Sequence, residues 1–325
     1  MKDEKIKVSV TLLSYKHAKY IRQCLDSILA QKVNFRYEII VGDDCSEDGT
    51  KEILLEYKEK YPDIFVLVLN EKNQGATRNA YNIAKLCRGE YISGGESDDY
   101  WIDDNRMQKE ADFLDTHPEY VAVFTNFINV DPNGDNPYIS MLSWQVNKKY
   151  TMKSLLRYGM VLHGNTCMRR NVLPTSGEKY EKVRFAAPTM GDVVLRTMIY
   201  DKGPVFCLPD VTHAHREGGA DKTSFFSNQV SKSIDYSYMY CTIIDALEEY
   251  FDGKYDFQIQ KANRTGAILL NASVGNYSID KHKLNDYLKS LSIGIRILSY
   301  ERFIQKGIRA VAHKIGRRLN MFYKI

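Results

Sequence analysis

Short β-branched segments alternate with amphipathic helical segments through the first 130 of the 325 residues, and this alternation constrains the fold more than any other feature. Apolar runs at residues 8–13, 37–41, 65–69 and 91–93 predict four strands. Between these runs, apolar residues recur at helical spacing and the connecting segments are short. Such alternation is typical of βαβ units, so we predict an α/β fold whose parallel sheet carries helices on both faces.

Acidic residues follow two of these predicted strands directly. Asp43 and Asp44 come after the second strand, and Glu96, Asp98 and Asp99 come after the fourth. The carboxyl ends of strands in an open α/β sheet form the ligand-binding edge, so we expect these side chains to lie at that edge. Carboxylate oxygens are the ligands that Mg²⁺ and Mn²⁺ prefer. The cluster at 96–99 therefore predicts a site for a divalent cation together with a phosphate-bearing ligand.

The segment at residues 131–137, with the sequence DPNGDNP, is the clearest break in the pattern because its residues favour turns. Beyond it the regular alternation is lost, although short strands are predicted at residues 205–208 and 210–215. From about residue 227 the pattern is mostly helical. These changes predict three regions, at residues 1–135, 136–222 and 223–325.

The charge distribution and the cysteines exclude several classes of protein. Residues 296–325 contain eight Lys/Arg and one Glu and so carry a net charge of +7. Because the whole chain carries +4, the other residues carry a net charge of −3. A mildly acidic body argues against a nucleic-acid-binding protein. The six cysteines show no CxxC pair, which indicates a reducing compartment instead of a disulfide framework or a zinc site. The sequence lacks a signal peptide and a run of ~20 apolar residues, so we expect a cytoplasmic location.

The basic C-terminal segment leaves two interpretations open. Its apolar residues fall at helical spacing: Ile304, Ile308, Val311, Ile315, Leu319 and Phe322. A basic amphipathic helix can bind an anionic membrane surface, which would place the protein peripherally on the inner face of the membrane. The alternative is a helix that packs on the core and leaves a basic face in solvent.

Four sequence blocks follow one another between residues 8 and 130: VSVTLLSYKHAKYIRQCLDSILAQ, EIIVGDDCSEDGT, NQGATRNAYNIAKLCRGEYI and GGESDDYW. In this order they resemble the family-2, GT-A type inverting glycosyltransferases that build bacterial polysaccharides and cell-surface glycans. A weaker likeness continues through MGDVVLRTMIYDKG and DVTHAHREGG. The resemblance implies a GT-A fold, with a Rossmann-like, mostly parallel sheet flanked by helices and a mostly helical C-terminal extension. It makes 1–135 the nucleotide-sugar-binding half, 136–222 the acceptor-binding half, and 223–325 a helical region with a basic tail.

The resemblance also implies the substrates and the residues that bind them. The donor is a nucleotide-sugar, expected to be a UDP-sugar, and the acceptor is a hydroxyl of a glycan or a lipid-linked molecule. The residues assigned to the donor are Tyr15, Asp43, Asp44, Arg78, Glu96 and Ser97. Within this set, Tyr15 stacks on the base, Asp44 accepts the uracil imide N–H, and Glu96 contacts the ribose. This chain has Glu96 and Ser97 where the family more often has Asp and Gly.

The metal and the catalytic base follow from the same resemblance. Asp98 binds Mn²⁺ or Mg²⁺, with Asp99 as support or second ligand. Asp192 is the base that takes the proton of the acceptor hydroxyl, although the sequence alone would make it a helix cap. His213 and His215 lie in a predicted strand that leads into Gly218-Gly219. Relatives carry a phosphate- or metal-binding His at the position of Gly218, so His215 is a candidate for that role, with an ordinary strand histidine as the alternative. The role of His213 is left open.

Two other functions remain open at this stage. A nucleotidyltransferase shares the sheet and the metal–phosphate chemistry, but its Gly- and Lys/Arg-rich loop after the first strand is replaced here by Ser14-Tyr15-Lys16-His17. A non-catalytic sugar-nucleotide-binding or membrane scaffold protein is the second, and the carboxylates at positions 44, 98 and 192 argue against it.

Overall fold

The computed structural model describes residues 5–159, 167–217, 234–273 and 281–322, and the chain divides into two compact units, residues 1–227 and 228–325. The strands of the first unit are β1 (Val8–Ser14), β2 (Tyr37–Asp43), β3 (Phe65–Leu69), β4 (Tyr91–Glu96), β5 (Tyr100–Trp101), β6 (Ala122–Val130), β7 (Tyr138–Ile139), β8 (Lys148–Tyr150), β9 (Cys167–Arg170) and β10 (Val205–Arg216). Its helices are α1 (Ile21–Leu29), α2 (Thr50–Lys60), α3 (Ala76–Ala84), α4 (Arg106–Thr116), α5 (Met152–Tyr158), α6 (Glu178–Arg184) and α7 (Gly191–Lys202).

The ten described strands form one mixed sheet in the order β3-β2-β1-β4-β9-β6-β10-β5, with β7 beside β6 and β8 beside β10. Strands β3, β2, β1 and β4 run parallel to one another, as do β6 and β10. Strand β9 pairs antiparallel with both β4 and β6 and so joins the two parallel halves. This architecture confirms the predicted GT-A type α/β fold.

Alternating residues of the central strand explain how the sheet carries helices on both faces. Val8, Val10 and Leu12 of β1 belong to the main apolar cluster, which also contains residues of α1, α2 and α4. Because successive side chains of a strand point to opposite faces, the other residues of β1 face the side on which α3 packs. The helices therefore hold β1 from both sides, and the carboxyl end of this strand is fixed in position.

The sequence pattern does not predict several short elements. Strands β5, β7 and β8 have two or three residues each, which is too short for a periodic signal, and α6 is mostly charged. The two strands predicted at residues 205–208 and 210–215 are one strand, β10, with register shifts between Cys207 and His213. The unit boundary falls after residue 227, and the three-region division at residues 135 and 222 stays a prediction.

The second unit is helical, as predicted. Its helices are α8 (Ile234–Phe251), α9 (Gln258–Ser273), α10 (Lys281–Ser290) and α11 (Ile293–Phe322). Helix α9 packs against α8 and α11. None of the helices in the described ranges is both long and apolar enough to cross a membrane. The predicted basic tail falls within α11, and the side chains beyond Ile308 lie outside the described residues.

Candidate functional site

The carboxyl ends of β1, β2 and β4 bring the two predicted acidic turns to one edge of the sheet. In the parallel register Leu13 of β1 lies beside Glu96 of β4. The pairing of β1 with β2 extends past the strand, because the Asp44 amide donates to the Ser14 carbonyl at 2.9 Å. The turn that follows β2 and the turn that follows β4 therefore flank the end of β1.

Asp44 is buried under the loop that follows β3. Its carboxylate accepts the backbone N–H groups of Gln74 and Gly75, each at 2.8 Å, and the Asn70 amide at 3.1 Å. Since a carboxylate can accept about four hydrogen bonds, one more N–H donor can be accommodated. This geometry suits the recognition of a single N–H on a base, and the assignment of Asp44 to the donor stays a prediction.

Asp43 and Tyr15 differ in their surroundings. The Asp43 carboxylate accepts the Ser46 backbone N–H at 3.0 Å and the Ser46 hydroxyl at 2.6 Å, and the Ser46 Oγ accepts the Lys16 amide at 2.9 Å. Asp43 therefore holds the turn after β2 against the turn after β1. Tyr15 is exposed at the end of β1, and the Lys16 ammonium lies 5.3 Å from its ring centroid. An exposed ring at this edge is available for stacking, and its contact with the base stays a prediction.

The acidic turn after β4 is held by His17. The His17 Nδ1 lies 2.8 Å from the Ser97 Oγ, and its Nε2 lies 3.8 Å from the Asp98 Oδ2. The other Asp98 oxygen, Oδ1, is buried and accepts no hydrogen bond from the described residues. Solvent reaches Glu96, but protein atoms crowd its carboxyl, and this desolvation together with the charges of Asp98 and Asp99 raises the pKa of Glu96 to about 8. The turn thus concentrates carboxylates that repel one another.

Asp99 is buried against two histidines of β10. Its Oδ2 lies 3.0 Å from the His213 Nε2 and 3.0 Å from the His215 Nδ1, and its Oδ1 accepts the Arg216 backbone N–H at 2.9 Å. Burial opposes ionisation of Asp99, but the hydrogen bonds from His213 and His215 hold its pKa well below the usual range. Burial lowers the pKa of His213. Burial also opposes protonation of His215, but the Asp99 hydrogen bond and the negative charges of Asp99, Glu96 and Asp98 together raise the pKa of His215 to about 9.

This arrangement could hold a divalent cation in two ways. The ligand atoms of Asp99, His213 and His215 lie within 4.8 Å of one another, which is a metal-binding spacing. Alternatively, the buried Oδ1 of Asp98 supplies the carboxylate ligand, and Asp99 orients His215 through Nδ1 so that Nε2 is the ring nitrogen that meets the ion. A buried carboxylate oxygen without a donor fits a cation, because burial of an unpaired acceptor is costly.

Arg216, at the end of β10, holds the acidic turn in place. Its guanidinium donates to the Asp98 carbonyl and to the Gln23 side chain. The same group lies 4.7 Å from the Tyr20 ring centroid and 4.6 Å from the Tyr100 ring centroid. A single buried arginine thereby connects the turn after β4 to α1 and to β10.

Asp192 lies in the first turn of α7, close to the same edge. The preceding Gly191 donates its N–H to the Thr77 Oγ1 of α3 at 3.2 Å, which fixes the start of α7 against the start of α3. The Asp192 carboxylate pairs with Arg196 at 2.8 Å and is half exposed. Its charge contributes to the raised pKa of Glu96, so the two carboxylates are within electrostatic reach. The position suits a base that faces the metal turn, and the catalytic assignment stays a prediction.

Arg78 lies in the first turn of α3 and is exposed. Its guanidinium stacks on the Phe185 ring at 3.6 Å from the centroid. The stacking holds the charge between the start of α3 and the end of α6, and the predicted contact with phosphate stays a prediction.

Sequence reasoning gave no role to His17 or Arg216, and it left His213 and His215 undecided. His17 belongs to the quoted block after the first strand, and Arg216 follows the two histidines directly. The alternation His213-Ala214-His215 in a strand places both imidazoles on one face, which was the available signal.

The sheet order and the acidic carboxyl edge define a GT-A glycosyltransferase. The sequence profile described as Glycosyl transferase family 2 matches residues 9–175. The chain therefore belongs to glycosyl transferase family 2, as its sequence blocks predicted.

Individual relatives match parts of the chain. Uncharacterized protein Mb1547 of Mycobacterium bovis is 33% identical over 165 residues, which are 50% of this chain and 47% of that protein. The poly(ribitol-phosphate) beta-glucosyltransferase of Bacillus spizizenii is 39% identical over 98 residues, 29% of this chain and 15% of that protein. The structure of S. aureus TarS 1-349 in complex with UDP-GlcNAc superposes with a TM-score of 0.57 at 19% identity, over 92% of this chain and 81% of that chain. This last likeness shows the fold, and the match spans about half the length of the first curated relatives.

Proposed function

We propose that this family-2 glycosyltransferase moves a sugar from a UDP-sugar to a hydroxyl of a glycan or lipid-linked acceptor, with inversion by direct displacement. The observation that carries the proposal is the buried Asp98 Oδ1, which accepts no hydrogen bond from the described residues and stands within a group of carboxylates and histidines. The TarS fragment of the same fold binds UDP-GlcNAc, which supports a UDP-sugar donor. The name of the poly(ribitol-phosphate) beta-glucosyltransferase gives a hydroxyl-bearing polymer as the acceptor of that enzyme, which supports a polymer hydroxyl as the acceptor here.

The donor residues divide by the part of the nucleotide-sugar that each contacts. Tyr15 stacks on the uracil, and Asp44 accepts its imide N–H at the place that remains on the carboxylate. Asp43 keeps the turn around the base in shape through Ser46. Glu96 and Ser97 face the ribose at the end of β4.

The diphosphate is bound by positive charge on both sides. Arg78 extends from the first turn of α3, where a guanidinium and the helix N-terminus both attract phosphate oxygens. Asp98 would hold Mn²⁺ or Mg²⁺, with Asp99 as second ligand or as the group that orients His215. When bound, the ion would supply Lewis-acid stabilisation of the charge that develops on the leaving diphosphate.

Asp192 accepts the proton of the acceptor hydroxyl as its oxygen attacks the anomeric carbon. The carboxylate lies in the first turn of α7, where the positive end of the helix dipole attracts negative charge. Arg196 holds the side chain in one orientation at 2.8 Å. The acceptor oxygen forms its bond to the anomeric carbon while the carbon–oxygen bond to the diphosphate breaks, and the nucleoside diphosphate leaves.

Two substitutions separate binding from catalysis. We expect Asp98→Asn to remove Mn²⁺-dependent thermal stabilisation by the UDP-sugar and to lower transfer by about a thousandfold, because the metal contributes several kcal/mol. We expect Asp192→Asn to keep donor stabilisation while transfer falls by about 10²–10⁴-fold, the range of a general base. A screen of UDP-sugars by thermal shift, followed by measurement of released UDP, provides both readouts.

The matched control is Asp104→Asn, which removes an exposed carboxylate that pairs with Lys32 at 3.2 Å. It should leave both readouts unchanged. Turnover near the wild-type rate in Asp192→Asn would exclude that residue as the base. Stabilisation by Mn²⁺ and donor that persists in Asp98→Asn would exclude Asp98 as the ligand.

A further inference from the structure

One side of α11 carries an exposed apolar stripe. Ile293, Ile297, Tyr300, Ile304 and Ile308 follow one another at intervals of three or four residues, and their exposed fractions lie between 51% and 69%. Intervals of three and four residues keep side chains on one face of an α-helix. The five residues, named here the α11 stripe, therefore form a continuous apolar surface in the second unit.

The opposite side of α11 is already occupied by α9. Ile295 and Ser299 are buried, and the two helices approach so closely at Gly266 that an added Cβ would lie 2.9 Å from the Arg302 Cβ and 3.0 Å from the Ser299 oxygen. One face of α11 thus fixes the helix to its unit, and the stripe lies on the other. Exposure of four isoleucines and one tyrosine in a row is costly in water and marks an interaction surface.

The charge of α11 decides between the kinds of occupant. From residue 293 to residue 322 the sequence holds seven Lys/Arg and one Glu, a net charge of +6. A second copy of the same helix would bring two charges of this sign together, which is unfavourable. An anionic lipid surface would attract them, and each nearby Lys or Arg strengthens such binding.

We propose that α11 lies on an anionic lipid surface, with the α11 stripe inserted among the lipid chains near the headgroups. At 1.5 Å per residue the 30-residue helix is about 45 Å long, enough for a long contact parallel to the membrane plane. The apolar stripe supplies insertion and the positive charge supplies attraction. This proposal concerns the second unit and goes beyond the transfer reaction, so it holds or fails independently of the donor and the acceptor.

Sedimentation of the full chain with lipid vesicles tests the proposal. Vesicles of phosphatidylcholine alone are compared with vesicles that contain 30 mol% phosphatidylglycerol, a composition that we choose for the assay. The variant is Ile297→Gln with Ile304→Gln, which keeps the charge and the helix propensity. The matched control is Leu55→Gln with Leu86→Gln, which changes two exposed leucines of the first unit in the same way.

We expect the wild type and the control to sediment with the anionic vesicles only, and we expect the stripe variant to partition at least about tenfold less. Circular dichroism and UDP-sugar-dependent thermal stabilisation, unchanged in the variant, would show that both units remain folded. Equal sedimentation of wild type and stripe variant would overturn the proposal, as would failure of the wild type to bind anionic vesicles. A dimer in light scattering that the stripe variant abolishes, without vesicle binding by the wild type, would assign the surface to a second copy instead.

Discussion

Replacing Arg216 with alanine should loosen the acidic turn and destabilise the first unit measurably. The substitution removes two side-chain hydrogen bonds, to the Asp98 carbonyl and to Gln23, and two cation–π contacts, with Tyr20 and Tyr100. Buried hydrogen bonds contribute about 1 kcal/mol each and desolvated cation–π contacts a similar amount. Because the four contacts share one group and are not additive, we expect a loss of about 3 kcal/mol in the free energy of unfolding.

Tryptophan fluorescence reports this loss selectively. The chain has 2 Trp, Trp101 and Trp144, and both belong to the first unit. A loss of about 3 kcal/mol should lower the midpoint of urea unfolding by about 1–2 M. Because Arg216 contacts the turn that carries Asp98, Arg216→Ala should also raise the Mn²⁺ concentration that half-saturates donor binding. Arg216→Lys should restore part of the lost Mn²⁺ affinity.

Arg22→Ala is the matched control for Arg216→Ala. Arg22 also makes two hydrogen bonds, to Glu56 at 3.0 and 2.6 Å, and also lies over an aromatic ring, that of Tyr57. Its ion pair is exposed, so solvent screening should make the change in unfolding midpoint small. The reasoning about Arg216 is refuted if Arg216→Ala shifts the midpoint no more than Arg22→Ala does.

Two glycine substitutions should separate the nucleobase-binding half of the site from the catalytic half. In Gly42→Ala the new Cβ would lie 2.2 Å from the Asn79 Oδ1. We expect this overpacking to lower the free energy of unfolding in urea by about 1–3 kcal/mol and to weaken UDP binding. An unchanged unfolding midpoint would contradict this expectation. In Gly191→Ala the new Cβ would lie 2.4 Å from the Arg184 Nη1 and 2.7 Å from the Thr77 Cγ2, so the start of α7 must shift. We expect kcat to fall at least about tenfold with UDP affinity nearly unchanged, since a displacement near 1 Å is costly in catalysis. Equal losses in kcat and in UDP affinity would contradict the assignment of the start of α7 to catalysis.

The central sheet could be predicted because its strands are buried and its helices amphipathic, so each element carries a periodic signal of its own. Strand β10 shows where that signal fails. Pro209 has no backbone N–H to donate, and the register with β6 shifts between Cys207 and Val211. The sequence pattern therefore suggested two strands where the backbone continues as one with an irregularity.

The candidate site could be predicted only where its residues come just after a strand. Asp44 and Asp98 meet this condition, and the parallel register alone brings their turns together. The contacts that complete the site join distant parts of the chain, from Asp99 to His213 and from Asp98 to Arg216, more than 100 residues apart. No local periodicity encodes such pairs, because they depend on β10 running beside β5 and β6.

The distribution of hydrogen bonds between Asp98 and Asp99 favours a division of labour between the two carboxylates. An ion that bound Asp99 directly would compete with the His213 and His215 contacts to Oδ2, each at 3.0 Å, inside a buried site where lost hydrogen bonds are costly. An ion on the Asp98 Oδ1 would displace no hydrogen bond from the described residues and would neutralise a buried acceptor. We therefore favour Asp98 as the direct ligand and Asp99 as the group that keeps His215 oriented toward it, an arrangement in which Asp99→Asn weakens metal binding without removing a ligand.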